Sequence, residues 1–441
     1  MKQAIIISPI IIVLLGNSFG VMAAEPYTVP KELTPVSKWV NGFTAKQAVH
    51  YRTAYSAPDI FAGNDVTAFS YLNLSEVVTT AIIRRGGPIS ELKVKKMPKI
   101  GEVVATTDLG IMKLKDAIAD PRSRLQAIAV VHKGKIVYEE YPGMPRDSHH
   151  LWQSTSKTIT GLLVYQFVQE GRINLQAPVS TYLDFTKGTP IGAVKVEDIL
   201  HMRSGLDFEE NQANRLNPEH PVSWAFAAAM SARGVPTGSS LKEIIVKVPA
   251  VDPPNTKYGY STFNTMVLVW IIEEVTGKPW NEIVSERVWS KVGMSNDGLV
   301  ALSPSGEVLA GGILSGTLRD FIRYGLLYTP SWKTVARERV VPEGYFKATY
   351  NAVNPDIYLG GDQGPSMVKR FTATGVPIGN AYQWDAVFED GDLYKSGLCG
   401  QALYVSPQTD TVVVYFSTTW QSSQAMVPYT REIVKQIFRK K

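Results

Sequence analysis

One segment constrains this chain more than any other: residues 154–170, which read as a helix that is apolar around most of its girth. Ile159, Leu162, Leu163, Tyr165, Phe167 and Val168 cover several faces rather than one stripe, and Gly171 supplies the stop. A helix of this kind belongs in the middle of a domain, with layers on both sides of it. The rest of the sequence supplies those layers. Residues 126–131 and 136–141 are two apolar strands joined by a short polar turn, which is a hairpin signal. Residues 264–275 and 317–327 read as further helices. Near the C-terminus, residues 401–405 and 411–417 are strands around a turn, and residues 427–439 close the chain as a helix. Strands at both ends with helices between them predict an α+β fold (an α/β sandwich). One antiparallel sheet would be built from distant segments and flanked by helices, with a mostly helical insertion in the middle.

Two stretches stand outside that plan. Lys2, an apolar run from Ala4 to Leu15 and the exit Val21-Met22-Ala23-Ala24 make residues 1–24 a secretory signal peptide. The run is too short for a membrane span. An exported protein is therefore expected, in a bacterial periplasm, touching the membrane only through that segment. Residues 25–110 lack strong periodicity and read as an N-terminal extension packed on a main domain of residues 111–441.

Composition removes several functional classes. A net charge of +5 over 441 residues, with no basic stripe, does not suit a nucleic-acid binder. The single cysteine, Cys399, allows neither an internal disulfide nor a multi-cysteine metal site. The six histidines lack metal-helix spacing, and His149-His150 reads as part of a polar loop. No metal and no cofactor are expected.

Chemistry enters through Ser-x-x-Lys, which occurs four times, starting at Ser90, Ser154, Ser239 and Ser366. Spacing alone cannot choose among them, because a capping serine with a solvated lysine has the same pattern. Only Ser154 opens a long buried helix. There, Lys157 lies on the same helix face as Ser154, and burial lowers a lysine pKa so that it can act as a base. Two later segments support this choice. In Tyr258-Gly259-Tyr260-Ser261-Thr262, a tyrosine on a loop could serve as general acid or base if a nearby ammonium lowers its pKa. Lys395-Ser396-Gly397-Leu398 offers a lysine and a hydroxyl for a substrate carboxylate, a glycine permitting close backbone approach, and a following N–H for an oxyanion hole. Tyr71-Leu72-Asn73 has a similar form to the tyrosine segment and reads as packing.

Ser-x-x-Lys, then a tyrosine loop, then Lys-Ser-Gly, in this order, resembles the serine β-lactamase and penicillin-binding protein superfamily. Leu200-His201-Met202-Arg203-Ser204-Gly205-Leu206 and Gly311-Gly312 with Ser315 to Asp320 are similar to supporting segments of that superfamily. Tyr260-Ser261-Thr262-Phe263-Asn264-Thr265 and Gly397-Leu398-Cys399-Gly400-Gln401 resemble the class C-like branch of esterases and 6-aminohexanoate-dimer hydrolases. Thr262 stands where β-lactamases carry Asn, and Cys399 where the hydrolase branch carries His.

The resemblance implies a hydrolase of small esters or amides acting through an acyl-serine, with Ser154, Lys157 and Tyr260 catalytic. The backbone N–H groups of Ser154 and Leu398 would form the oxyanion hole. Lys395, Ser396, Gly397, Thr262 and Cys399 would contact substrate. Three other readings compete: a β-lactamase or D-Ala-type peptidase, a penicillin-binding sensor without turnover, and a reactive thiol at Cys399. An α/β-hydrolase would need Gly-x-Ser-x-Gly, which the chain lacks.

Overall fold

The computed structural model describes residues 27–230 and 239–439; the expected signal peptide lies outside them. Its main sheet has seven strands: β1 (Leu125–His132), β2 (Lys135–Glu140), β3 (Gly379–Ala381), β4 (Trp384–Val387), β5 (Leu393–Gly397), β6 (Gln401–Ser406) and β7 (Thr411–Ser417). They lie in the order β2-β1-β7-β6-β5-β4-β3, each antiparallel to its neighbour. The sheet is thus built from both ends of the domain. Val412 pairs with Val131 and Phe416 with Ala127.

The side-chain alternation of β7 shows what each face covers. Val412, Val414 and Phe416 enter one core cluster, and Val413 and Tyr415 enter the other. A strand buried on both faces loses its polar alternation and reads as a continuous apolar run, as Thr411–Ser417 does. On the first face lie α1 (Lys157–Gln169), α2 (Thr262–Thr276) and α3 (Leu318–Leu326). Ile159, Val267 and Phe321 carry them into the core. On the second face lie α4 (Gln363–Phe371) and α5 (Val427–Ile433), through Met367, Phe371, Val427 and Ile433. The expected α+β architecture is present.

Local differences have local causes. α1 begins at Lys157, one turn later than expected, because Gln153–Ser156 forms a 3-10 turn whose first residue, Gln153, has φ 51°. The expected last helix continues past α5 only as a π-helical turn, Val434–Phe438. A second sheet of four short strands escaped the sequence pattern: Thr80–Ile83, Gly298–Ala301, Leu314–Gly316 and His150–Leu151, in that order. Strands of two to four residues give too few alternations to register. His150 is consequently not in a polar loop. It is fully buried and stacked on Phe416 at 4.4 Å, and burial drives its pKa down to about 3.

Residues before the main domain also join this framework. Thr80–Ile83 pairs with Gly298–Ala301, and Phe69 and Tyr71 share the core cluster of α1.

Candidate active site

Ser154 and Lys157 meet because the 3-10 turn and the first turn of α1 put them on one side of the backbone. Lys157 Nζ lies 2.9 Å from Ser154 Oγ and also donates to the carbonyl oxygen of Gly311. The lysine is closed to solvent, and among the described residues no carboxylate lies within ion-pair distance of it. Burial, and then the charge of Lys395, bring its pKa down to about 7, against the opposing pull of Glu210 and Asp385. Gly311 is tightly placed: a Cβ there would stand 2.5 Å from the Thr262 methyl.

Tyr260 completes the group. Its hydroxyl receives a 3.3 Å hydrogen bond from Lys395 Nζ and stands near Ser154, which helps to lower its pKa. The lowering of its pKa by neighbouring cations is outweighed. Burial, with Asp385 and Glu210 nearby, holds the phenol well above its ordinary value, so it is a neutral hydroxyl. Of the two candidate bases, Lys157 is the one whose pKa is lowered toward neutrality.

The Lys395-Ser396-Gly397 segment forms the end of β5 beside the nucleophile. Its expected contact with a substrate carboxylate is already satisfied from within the protein. Asp385, on neighbouring β4, pairs with Lys395 Nζ and accepts from both the N–H (2.9 Å) and the hydroxyl of Ser396. Lys395 is fully buried in that pair. Gly397 also has a structural reason. A Cβ there would lie 2.8 Å from Gln153 Cβ and 3.0 Å from the Trp152 carbonyl oxygen. The glycine admits the nucleophile's own turn against β5, and it also lines the cleft.

Ser154 and Leu398 sit where two recesses join. One is apolar and lined by Phe61, Phe226, Phe263, Met266 and Leu309, with Thr262 at its side. The other is a broader, polar cleft that includes Tyr260, Ser396 and Gly397. Cys399 departs from its expected place. It is buried at the β5–β6 turn with φ 58°, its thiol directed to the Phe61 carbonyl oxygen at 3.5 Å.

A model of the Beta-lactamase family matches residues 118–436. The chain belongs to the β-lactamase family. Among relatives of this β-lactamase-family chain is the 6-aminohexanoate-dimer hydrolase of Paenarthrobacter ureafaciens. It is 25% identical over 354 residues, which are 79% of this chain and 85% of the relative. A Bacillus anthracis structure provisionally assigned as a 6-aminohexanoate-dimer hydrolase superposes with a TM-score of 0.69 at 22% identity, covering 85% of this chain and 94% of that one. A class C β-lactamase superposes at 0.50 and 16% identity, over 74% and 95%.

Two residues of this β-lactamase-family site were missing from the sequence reading. Asp385 left one signal: a lone carboxylate inside the apolar strand Trp384–Val387 must find a buried cation. Glu210 left none. It lies in an irregular polar stretch, where it accepts from the Thr262 N–H and faces Arg215 at 3.4 Å.

Proposed function

We propose that the protein is an exported serine hydrolase that cleaves a small ester or amide through an acyl-enzyme on Ser154. The membership of a hydrolase family supplies the reaction class. The observation that carries the residue assignment is the 2.9 Å contact of Ser154 Oγ with a buried lysine that lacks a carboxylate partner among the described residues.

The proton steps balance with two groups. Neutral Lys157 takes the Ser154 proton as Oγ attacks the acyl carbon. The Tyr260 hydroxyl gives its proton to the departing oxygen or nitrogen and takes the Lys157 proton in its place, the Lys395 N–H on Tyr260 Oη steadying the transient negative charge. Both groups are then neutral in the acyl-enzyme. In the second half, neutral Lys157 takes a proton from the attacking water, and the same relay returns a proton to Ser154 as the acyl group leaves. The Ser154 and Leu398 N–H groups are the proposed donors to the tetrahedral oxyanion. The apolar recess beside Ser154 suits a small hydrophobic acyl group.

The occupation of Lys395 and Ser396 by Asp385 supports this reading over one in which that segment holds a substrate carboxylate. The deciding experiment is turnover of p-nitrophenyl acetate with mass spectrometry of the enzyme. The expected result is an acetyl adduct on Ser154 and its disappearance in Ser154→Ala. A Ser154→Ala enzyme with the wild-type rate overturns the proposal, and nitrocefin turnover at an ordinary enzymatic rate overturns the substrate class.

A further inference from the structure

The apolar recess and the open cleft meet at Ser154, and the side chains that line both of them mark the boundary. Two of those side chains are aromatic, Phe61 and Phe226. Their rings lie edge to face with centroids 5.0 Å apart, one of the favoured arrangements of an aromatic pair. They come from distant parts of the chain. Phe61 stands on the short helix Asp59–Ala62, well ahead of the first strand of the main sheet, and Phe226 on the helix Pro221–Met230, between α1 and α2. Meeting ring to ring at the junction, they form a partition between the recess and the cleft.

Both halves of the partition are anchored. Phe226 packs edge to face on Phe263 at 5.3 Å, and Phe263 stacks on Phe208 at 4.5 Å. Phe208 and Phe263 are buried, so the Phe226 ring is the outer member of a row rooted in the core. Phe61 is held through its backbone. Its carbonyl oxygen accepts from the Cys399 thiol at 3.5 Å, and that of Ile60 accepts from the Tyr71 hydroxyl at 2.7 Å. Gly63, with φ 72°, turns the chain so closely past Thr419 that a Cβ would strike the Thr419 carbonyl oxygen. Cys399 directly follows Leu398, the proposed oxyanion donor. The wall that carries Phe61 is therefore tied to the same turn that would hold the acyl oxygen, which fixes the distance from the ring to the acyl carbon.

We propose that Phe61 and Phe226 together set the girth of the acyl group: the partition admits slender acyl groups to the recess and excludes aromatic or heavily branched ones, which need the space the two rings fill. The inference rests on the acyl-serine reading above and adds to it a selectivity supplied in part by the segment ahead of the main sheet.

The test compares p-nitrophenyl phenylacetate with p-nitrophenyl acetate. Phe61→Ala vacates the volume of a benzyl group at the junction, and the phenylacetyl ester brings a benzyl group to refill it. Its kcat/KM should rise in absolute terms, and its ratio to the acetate value by about tenfold. Phe226→Ala should act in the same direction. The double variant should gain less than the product of the two single gains, because opening either half already joins the two spaces. Phe61→Leu keeps an apolar side chain on the segment; it should give a smaller gain, and it carries the test if the alanine variant does not fold. A ratio that stays at the wild-type value in these variants would overturn the inference, as would a ratio raised only by a loss on acetate. In either event an acetyl adduct on Ser154 leaves the acyl-serine reading standing, whereas the absence of that adduct removes both.

Discussion

Two lysines face the Tyr260 ring from inside the protein, Lys157 at 5.3 Å and Lys395 at 4.6 Å from its centroid, and neither side chain is open to solvent. Burial lowers both. They differ in what else they touch. Lys157 meets a hydroxyl and a carbonyl oxygen, which do not compensate a full positive charge. Lys395 meets the Asp385 carboxylate, which pulls its pKa back up. Under the proposed mechanism, the lysine without a carboxylate partner is the base, and the one paired with Asp385 supports Tyr260. Asp385 acts on both lysines, but it pairs directly only with Lys395.

The comparison is broken most directly by removing each lysine's function in turn. Lys157→Met should lower kcat/KM for a small ester by about 100- to 10,000-fold, the range for a lost general base. Its thermal stability should be no worse than wild type, because an apolar chain of similar length replaces an uncompensated buried amine. A variant that keeps its rate would mean that Lys157 is not the base.

Asp385→Asn should act in the opposite sense. It leaves Lys395 buried without its partner and weakens two further bonds, to the Ser396 N–H and hydroxyl. A loss of about 3 kcal/mol in unfolding free energy is expected, and Lys395→Met in the same chain should restore much of it. Urea denaturation of the three proteins checks this. Equal stability of Asp385→Asn and wild type would show that the pair contributes nothing.

The pH profile sharpens the same contrast. Lys157 must be neutral to take a proton, and its pKa lies at about 7. The rate should therefore rise as pH climbs through about 7 and level off above it. The Lys395 charge helps to hold that pKa down, so Lys395→Met should move the rising limb to higher pH. Glu210 holds it up, so Glu210→Gln should move the limb lower. Shifts in the opposite directions would contradict the electrostatic account of Lys157.

How much of this was legible beforehand depended on the range of the interaction. The order of motifs and the buried helix were enough to single out Ser154, Lys157 and Tyr260 as the candidates that the fold brings together, because each is tied to a local signal: an apolar girth, a three-residue spacing, a loop before a helix. The main sheet was legible for a related reason, since β1, β6 and β7 are long apolar runs. What remained hidden was contact across the fold. The placement of Asp385 against Lys395 depends on the β4–β5 pairing, and no spacing in the chain announces it. The turning of Cys399 away from the cleft depends on a residue more than three hundred positions earlier.

Tyr71 is the plainest case of such a contact, and it gives the smallest predicted effect. It was read as packing, and it is fully buried, but its hydroxyl also accepts from Gln153 Nε2 at 2.5 Å and donates to the Ile60 carbonyl oxygen at 2.7 Å. Gln153 is the residue with φ 51° immediately before the nucleophile, a conformation that surrounding contacts must hold in place. Lys395 shapes the site by charge; Tyr71 reaches it from the N-terminal extension by holding that backbone turn. Tyr71→Phe keeps the ring and removes the anchor, leaving a buried amide N–H without its acceptor, a loss of about 1–3 kcal/mol. Only part of that should appear in catalysis. The expected change is a fall in kcat of about tenfold or less, with KM and the position of the pH limb unchanged. A shifted limb would mean that Tyr71 acts on the charge of Lys157 rather than on the placement of Ser154.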